Sequence, residues 1–516
     1  MRAWGPRAAG ALSVGAAVGC LTPLGAALPT VDRWALAGTL LVLGRGLLGR
    51  RRLAWQAGLA LVALLALLPP HRPGRFLALG AVAVLLIAGH AQYVARPDPR
   101  RLRAAAYAGL GALTLVVGHG LWLSARDRTP VRQVAHAALT LPSRAAARSD
   151  RVFLLAVVLA ALLALALAFA PAPPPPADDE ATRARVRDLV RHPDSGSLAP
   201  FATRADRAYV FSDDGAAAIG YRVVWGVALA GGDPVGAAAS APAAVAAFGR
   251  LCERRGWRPA VLGADAADAG VWRAAGPRRG VEIGDEAVLD VAGFSLATRR
   301  MRNVRQAVRR THLSGVRVDL GVLDASLARR LAPVLENWLR GRAERGFAMN
   351  LDRILAPRAD VLVAVAYDRA GAPQAFARFA VAGGGAVLSL DVAPRRLDAP
   401  NGVVERLIVE AAGYGRERGV REVSLNFAGM RRAFVSPGRM AALARIPLHV
   451  LDRWIELRPL WRFTAKFHPR WRPRLLLLCT WWDLPRVGPA ALLAEFGRHR
   501  PAAPGRDLPQ EAGVAP

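Results

Sequence analysis

The sequence predicts an amino-terminal multi-span α-helical membrane domain followed by an α/β soluble domain. Residues 1–171 hold six apolar segments, at about 8–28, 34–49, 53–69, 76–95, 104–124 and 152–171. After the PAPPPP run at Pro171–Pro176 the chain changes to alternating strand-like and helix-like patterns. Within that second part, 388–430 reads as strand, turn-rich loop, helix and strand, a βαβ unit. At 516 residues the chain exceeds one typical domain and can hold a membrane part plus one or two soluble ones.

The sixth apolar segment, VFLLAVVLAALLALALAFA, is long and uncharged enough to span a bilayer; the second is interrupted by Arg45. Further spans follow the first, so a cleaved signal peptide is not expected. Arg2 and Arg7, then Arg50–Arg52, then Arg96, Arg100, Arg101 and Arg103 alternate as cytoplasmic loops do. Six spans then return the carboxyl-terminal part to the cytoplasmic side of the cell membrane. The loop from Arg126 to Arg151 breaks this pattern, being Arg-rich yet outside, unless Val131–Leu141 is a further membrane-associated segment. His71, His90, His119 and His136 lie in or near the spans without paired carboxylates. They read as interfacial or packed groups rather than as an ion pathway.

Residues 172–180, ending in Asp178-Asp179-Glu180, form a stiff polar linker. A helix at 182–191, strands at 208–212, 216–225 and 227–229, a helix at 243–255 and a strand at 260–263 follow. Phe294–Arg310 reads as a helix carrying Arg299, Arg300, Arg302, Arg305, Arg309 and Arg310, a face that grips phosphates or is simply solvated. A strand at 316–320, a helix at 324–341 and strands at 361–367 and 374–381 lead to the central unit. There the strand 386–390 ends at Asp391, the loop 394–402 turns, a helix starts at Val403, and Val420–Phe427 is the last strand. Both halves, 181–320 and 321–500, end in similar β-rich modules, which predicts a duplicated α/β domain. Ligands bind where strand ends meet a helix N-terminus, so the active site is expected at the end of the 386–391 strand. Val450–Pro473, rich in Arg and Trp, suits a membrane surface or packing, and 501–516 reads as a disordered tail.

The formal net charge of +31 favours anionic partners, nucleic acid or lipid, although membrane proteins also collect Arg in cytoplasmic loops. Cys20, Cys252 and Cys479 are far apart and match no metal spacing, so neither a metal nor an oxidising compartment is expected. A sharper signal is that Lys466 is the single lysine among 70 basic residues. Arg and Lys differ in geometry, hydration and ability to lose a proton. A lysine that survives such a bias is either an accidental survivor on the surface or, as is expected here, the mark of a site that rejects guanidinium.

No Walker loop, G-x-G-x-x-G, HExxH or nucleophile-elbow serine is present. The central βαβ is similar to the acetyltransferase (GNAT) core but lacks its Gly-rich pyrophosphate loop. Its turn is Asp398-Ala399-Pro400-Asn401-Gly402, and an exposed carboxylate suits an ammonium ligand better than a pyrophosphate. An amine-bearing donor is expected rather than acyl-coenzyme A.

Several blocks occur in one order across about 180–490: HPDSGSLAPFATR, VFSDDGAAAIGYRVVWGVALAGGDPVG, GDEAVLDVAGFSL with MRNVRQAVRR, LSLD with DAPNGVVERLIVEA, VSLNFAGMR, AKFHPRWRPR and DLPRV. This span resembles the transferase domain of lysylphosphatidylglycerol synthases, above all the actinobacterial form fused to a lysyl-tRNA synthetase. The resemblance implies tandem GNAT-like modules with a tunnel between them. It also implies transfer of an aminoacyl group, expected to be lysyl, from aminoacyl-tRNA to the glycerol hydroxyl of phosphatidylglycerol, altering membrane surface charge. No cofactor is implied beyond the aminoacyl-tRNA co-substrate. No synthetase domain follows, so lysyl-tRNA synthetase is expected to act separately.

By position, Asp391 matches the acid that ends the family's SxDxM strand and is expected to bind the donor's α-amino group or to orient the donor. Asn401, Glu405, Asn426 and Asp398 match or neighbour polar pocket positions. Lys466 matches the lysine of the KFxPxW box and is expected to stabilise the ester's oxyanion or a lipid phosphate. Arg305, with its helix, and Arg474 would meet tRNA or lipid phosphates. Pro394 stands where the family has Arg three residues after the strand's Asp, with Arg395 or Arg396 as its expected substitute, and Thr464 stands where Asn is common. The alternatives are a lipid-binding membrane protein whose transferase site is altered, or an aminoacyl-tRNA transferase with another acceptor.

Overall fold

The computed structural model describes residues 4–21, 30–67, 74–127, 148–340, 351, 353–429 and 457–496. They divide into two compact units, Met1–Pro174 with Arg250–Arg258, and Pro175–Gly249 with Pro259–Pro516. The Val131–Leu141 segment, His71, His136, residues 450–456 and the tail 501–516 lie outside the described residues.

The first unit is helical: α1 Trp4–Leu21, α2 Thr30–Leu48, α3 Arg52–Leu67, α4 Gly74–Ala88, α5 Pro99–Asp127 and α6 Arg148–Ala168. These Ala- and Leu-rich stretches are strong helix formers. Gly10 and Gly44 let α1 and α2 touch, since a Cβ on either would lie 3.1 Å from the other's carbonyl oxygen. Small residues allow such approach where helices pack without water. Leu43, Leu47, Leu86, Tyr93 and Phe169 form a shared core. One described helical stretch, Pro99–His119, is long and apolar enough to cross a membrane, and α2, α3, α4 and α6 carry shorter apolar runs. Of the six expected spans, the fifth therefore meets the length and hydropathy test.

The second unit opens with α7 Glu180–Val190, capped by the Asp179 side chain accepting from the Thr182 amide. Its strands are β1 Ala208–Phe211, β2 Ala217–Val224, β3 Val227–Gly231, β4 Val235–Gly236, β5 Arg258–Asp265, β6 Arg279–Asp290, β7 Arg317–Leu323, β8 Arg358–Tyr367, β9 Pro373–Ala382, β10 Val387–Val392, β11 Glu422–Gly429 and β12 Arg470–Leu478. Its remaining helices are α8 Ala241–Arg255, α9 Arg302–Leu313, α10 Ala325–Leu339, α11 Val403–Glu417, α12 Leu457–Ala465 and α13 Leu484–Phe496.

All twelve strands join one sheet in the order β1-β2-β3-β5-β12-β6-β11-β10-β9-β8-β7, with β4 on β2. The duplication is visible in that order. In the first half the antiparallel hairpin β2–β3 is followed by α8 and β5; in the second, β9–β10 is followed by α11 and β11. The strand that follows each set then crosses over: β6 lies on β11, and β12 lies on β5. The halves are thereby locked into one sheet. The expected division at 320/321 falls inside β7, which pairs with β8 and belongs to the second half.

Two apolar layers flank the second half. Val304 and Val308 of α9 and Val403 and Leu407 of α11 pack with Leu388, Leu390, Leu425 and Phe467. Leu331 and Leu335 of α10 pack with Val361, Val363, Phe376 and Phe201. Each such side chain contributes about 1.5–3 kcal/mol on burial.

The predicted helix Phe294–Arg310 begins late, because only a 3₁₀ turn at Arg299–Met301 precedes α9. Asp290 holds a turn by accepting from the Gly293 amide at 3.2 Å. Arg305 then folds back to donate to the carbonyls of Leu296 and Thr298, which a continuous helix would have used for itself.

Candidate active site

The parallel strands β10 and β11 pair over three positions, from Val387↔Glu422 to Ser389↔Ser424. Just beyond them Asn426 adopts a left-handed backbone, φ 67°, where the register of β11 on β6 shifts. Asn tolerates this conformation because its short amide can bond locally. Its side-chain nitrogen donates to the Leu390 carbonyl at 2.9 Å, tying the two strand ends together next to Asp391.

Helix α11 starts over this fork. Gly402 is its N-cap, at φ 98°, and a Cβ there would lie 2.7 Å from the Ala307 carbonyl oxygen. Position 402 therefore needs glycine twice over, for its φ and for the contact with α9. In the loop ahead of it Asp398 is exposed and paired with Arg396 at 3.0 Å, and that bond holds its carboxyl below the usual range. Asn401 and Arg395 are exposed as well.

Glu405 lies in the first turn of α11, where the helix dipole favours a carboxylate. Its Oε1 meets Lys466 Nζ at 2.9 Å, with the lysine side chain 42% exposed and the glutamate 12%. Lys466 follows α12 in a tight turn, its amide donating to Phe463 and the next amide to Thr464. Buried Phe467 anchors this turn in the core. The ammonium also stands 5.1 Å from the Phe463 ring centroid, within cation–π range. His468 places Nε2 3.2 Å from the Arg300 carbonyl. The lone lysine is thus a held cation that still faces solvent.

Asp391 is arranged otherwise. Its Oδ2 accepts from Arg378 Nε at 2.6 Å and its Oδ1 from the Leu351 amide at 2.8 Å, and neither side chain of the Arg378–Asp391 pair is exposed. Burial pushes the Asp391 carboxyl up, against the pull of Arg378. Both oxygens expected to bind an α-amino group are already engaged. The guanidinium that meets Asp391 belongs to Arg378 of β9. Arg378 was missed from sequence, though a lone Arg inside PQAFARFAVA was its signal. Pro394 serves the backbone, its carbonyl accepting from the Phe376 amide at 2.9 Å.

Arg474 does not present to phosphates. It is 3% exposed and donates to Glu286 at 2.5 Å and Asp233 at 3.1 Å, with Asp265 3.7 Å away. Glu286 also accepts from Ser197 and Ser424, each at 2.5 Å. Burial alone would push the Glu286 carboxyl up, but Arg474 and the two hydroxyls hold it below its ordinary range. Burial, opposed by Arg474, raises Asp233. Beside this cluster a cavity of about 560 Å³ is lined by Asp194, Ser197, Asp233, Asp265, Asp268 and Arg474, among others. It lies at the ends of β3 and β5, the first-half counterpart of the β10–β11 fork.

The structure therefore brings Lys466 to Glu405 and Asn426 to the end of β10. Arg396 and Asp398 form a surface pair, Arg305 braces its own helix, and Asp391 and Arg474 lie in buried ionic clusters.

A family model described as phosphatidylglycerol lysyltransferase, C-terminal, matches residues 186–478. The "MprF-like domain protein Rv1619" of Mycobacterium tuberculosis is 39% identical over 305 residues, 57% of this chain and 63% of that protein. The "lysylphosphatidylglycerol biosynthesis bifunctional protein LysX" of Gordonia bronchialis is 40% identical over 335 residues, 62% of this chain and 29% of that protein. The match thus spans under two thirds of these curated relatives. The crystallised C-terminal domain described as a lysylphosphatidylglycerol synthetase from Agrobacterium fabrum aligns at TM-score 0.53 and 25% identity, covering 61% of this chain and 96% of that one. L-PGS from Bacillus licheniformis shares the fold, at TM-score 0.53 and 19% identity over 63% of this chain and 99% of that one.

Proposed function

Because the chain belongs to the phosphatidylglycerol lysyltransferase family through its carboxyl-terminal domain, we propose that it is a membrane-bound aminoacyltransferase. It moves an aminoacyl group, lysyl, from aminoacyl-tRNA to a glycerol hydroxyl of phosphatidylglycerol. The observation that carries this proposal is the Lys466–Glu405 pair at the start of α11, inside the matched segment. The chemistry exchanges one ester for another. The lipid hydroxyl oxygen attacks the carbonyl, the bond to the tRNA ribose breaks, and the lipid's proton passes to the departing ribose oxygen. The donor is already activated, so the protein must align the hydroxyl and manage one proton.

Lys466 has the charge and exposure to stabilise the oxyanion that forms on the carbonyl. Glu405 holds that ammonium in place. Asn426 and the Arg378–Asp391 pair fix the strand ends against which the donor lies. The duplicated hairpin–helix–strand order supports tandem GNAT-like modules. Exposed Tyr107, Leu110, Leu113, Leu155, Leu159 and Leu163 on α5 and α6 support a multi-pass membrane unit, with the second unit cytoplasmic, where charged tRNA is made by a separate synthetase.

The test is to express the full chain in cells lacking aminoacylated lipids and examine lipid extracts by mass spectrometry, with Lys466→Ala in parallel. A lysylated phosphatidylglycerol present in wild type and absent in the variant is expected. A folded, membrane-inserted wild type that makes no aminoacyl lipid would sink the proposal for this acceptor.

A further inference from the structure

The first half of the second unit shows apolar side chains that its core does not use. Helix α13 turns Val487, Ala490, Ala491 and Ala494 inward against Val227, Leu229 and Leu478. Its larger residues Leu484, Leu492 and Leu493 face out, the reverse of what a surface helix of a globular domain does. Trp481 and Trp482, in the 3₁₀ turn before it, are 53% and 93% exposed. Trp225 is 62% exposed and is tied to the same helix, since Arg486 donates to its carbonyl from Nε at 3.1 Å and from a second guanidinium nitrogen. Apart from Leu313, Val322 and Leu397, the exposed large apolar side chains described in the second unit all belong to this group.

Trp225 stands against local preference. With Gly226 it forms the two-residue turn between the paired Val224 and Val227, at φ 49° and 74°, where Asn-Gly is favoured. A bulky residue is strained at this φ, and a side chain this exposed adds little to the core. Strain that the fold does not require marks a surface with a task.

The group sits at one end of the sheet. Gly232 and Asp233, at the end of β3, bond with Leu262 and Asp265, at the end of β5. The two strands therefore run in the same direction, and Trp225 lies at the end where β5 begins. Cys479, two residues before Trp481, has its Sγ 3.6 Å from the Pro259 carbonyl at that same end. The chain enters β5 from Arg250–Arg258, a segment that belongs to the helical unit. Arg278, Arg279 and Arg486 are exposed beside the tryptophans, with the Arg278 amide donating to the Leu478 carbonyl. Asp483, the one carboxylate between Leu478 and Leu493, is buried and caps Thr480.

We propose that this surface seats the second unit on the lipid bilayer, with its indole rings at headgroup level and its arginines on lipid phosphates. The proposal rests on the membrane-bound reading above and adds which face of the second unit meets lipid. Indole rings favour the membrane–water interface, an exposed apolar patch of this kind marks an interaction site, and guanidinium pairs well with phosphate. A second copy of the chain fits less well. A two-fold dimer would set the patch against itself, bringing Arg278, Arg279 and Arg486 towards their own copies with no exposed carboxylate among the described residues of the patch.

The experiment places the full chain in phosphatidylglycerol–phosphatidylcholine vesicles. Cys20, Cys252 and Cys479 are changed to Ala, and Trp482→Cys, Asp268→Cys and Leu113→Cys are spin-labelled one at a time. Asp268 lines the cavity at the opposite end of β5, and Leu113 is an exposed residue of α5. Collision rates are measured with oxygen, which concentrates in lipid, and with a neutral nickel chelate, which stays in water on both sides. The oxygen-to-chelate ratio at 482 should lie well above that at 268 and below that at 113. If 482 and 268 report alike while 113 is shielded from the chelate, this surface is wrong and the membrane reading stands. A label at 482 that is shielded from both reagents is covered by protein, which also overturns the proposal. If 113 is as open to the chelate as 268, the membrane reading itself fails. A second measurement keeps the native cysteines: brominated phosphatidylcholine vesicles should quench a larger fraction of indole fluorescence in wild type than in the combined Trp225→Asn, Trp481→Ser and Trp482→Ser variant. Equal fractions would overturn the proposal as well.

Discussion

The crevice of the first half, at the ends of β3 and β5, is floored by Arg474, which pairs with fully buried Glu286 and with partly exposed Asp233. The matching fork of the second half, at β10 and β11, has its own sealed pair in Arg378–Asp391. It adds a cation, Lys466, that is held by one carboxylate yet remains 42% exposed. Ions that are fully paired and buried fix geometry but have little left to give a substrate. A held, half-exposed ammonium can still meet a charge that develops during reaction. The same architecture thus holds a buried arginine in one half and a half-exposed lysine in the other.

The largest expected effect lies in the sealed clusters. Glu286→Ala leaves Arg474 facing a deficit of negative charge in the sheet, and breaking a buried pair in this way costs about 3–5 kcal/mol. Arg378→Ala should do the same at Asp391. Denaturant unfolding of the detergent-solubilised chain measures both. The pH dependence has a definite sign. Because the folded-state Glu286 carboxyl titrates below its ordinary range, its contribution is fully present above about pH 4.3, the ordinary glutamate value. It is lost as pH falls through the depressed value. Glu286→Gln should flatten that part of an acid-unfolding curve. If Glu286→Ala instead spares stability and removes transfer, the roles given to the two crevices are reversed.

Lys466→Ala should show the opposite profile. Loss of one oxyanion-stabilising donor lowers turnover by about 10²–10³-fold, while a half-exposed side chain changes stability by about 0.5 kcal/mol or less. Lys466→Arg keeps the charge but not the compact ammonium, and should leave most of that loss in place. An arginine variant with wild-type turnover would mean that the site does not discriminate against guanidinium.

Local signals made the second half legible in the sequence. The strand ending at Asp391, the turn before Val403 and the helix after it follow from apolar spacing and breakers, and Lys466 stood out by composition. The long-range pairings were not legible. No local pattern tells that β6 closes the second half and β12 the first, so the burial of Arg474 between Glu286 and Asp233 could not be foreseen from its own strand. For the same reason Arg378, one strand over from Asp391, was missed. Nearness in sequence misled wherever a buried charge had to find its partner across the sheet. The late start of α9 has a more local cause, the Asp290–Gly293 turn and the folded-back Arg305.

The smallest expected effect belongs to Asp398, in the loop between β10 and α11. Asp398 is exposed and bound to Arg396 two residues away, and exposed pairs contribute about 0–1 kcal/mol. Asp398→Ala should therefore leave unfolding within about 0.5 kcal/mol of wild type. It should also leave transfer to phosphatidylglycerol within about twofold, a barrier change of roughly 0.4 kcal/mol. The measurement is turnover by the full chain with lysyl-tRNA and phosphatidylglycerol vesicles. A large loss would mean that the Arg396 pair opens when the donor binds and that Asp398 then takes the ammonium group. Chemistry in the second half would then depend on a loop rearrangement, and the contrast between a buried arginine and a half-exposed lysine would have to include motion as well as exposure.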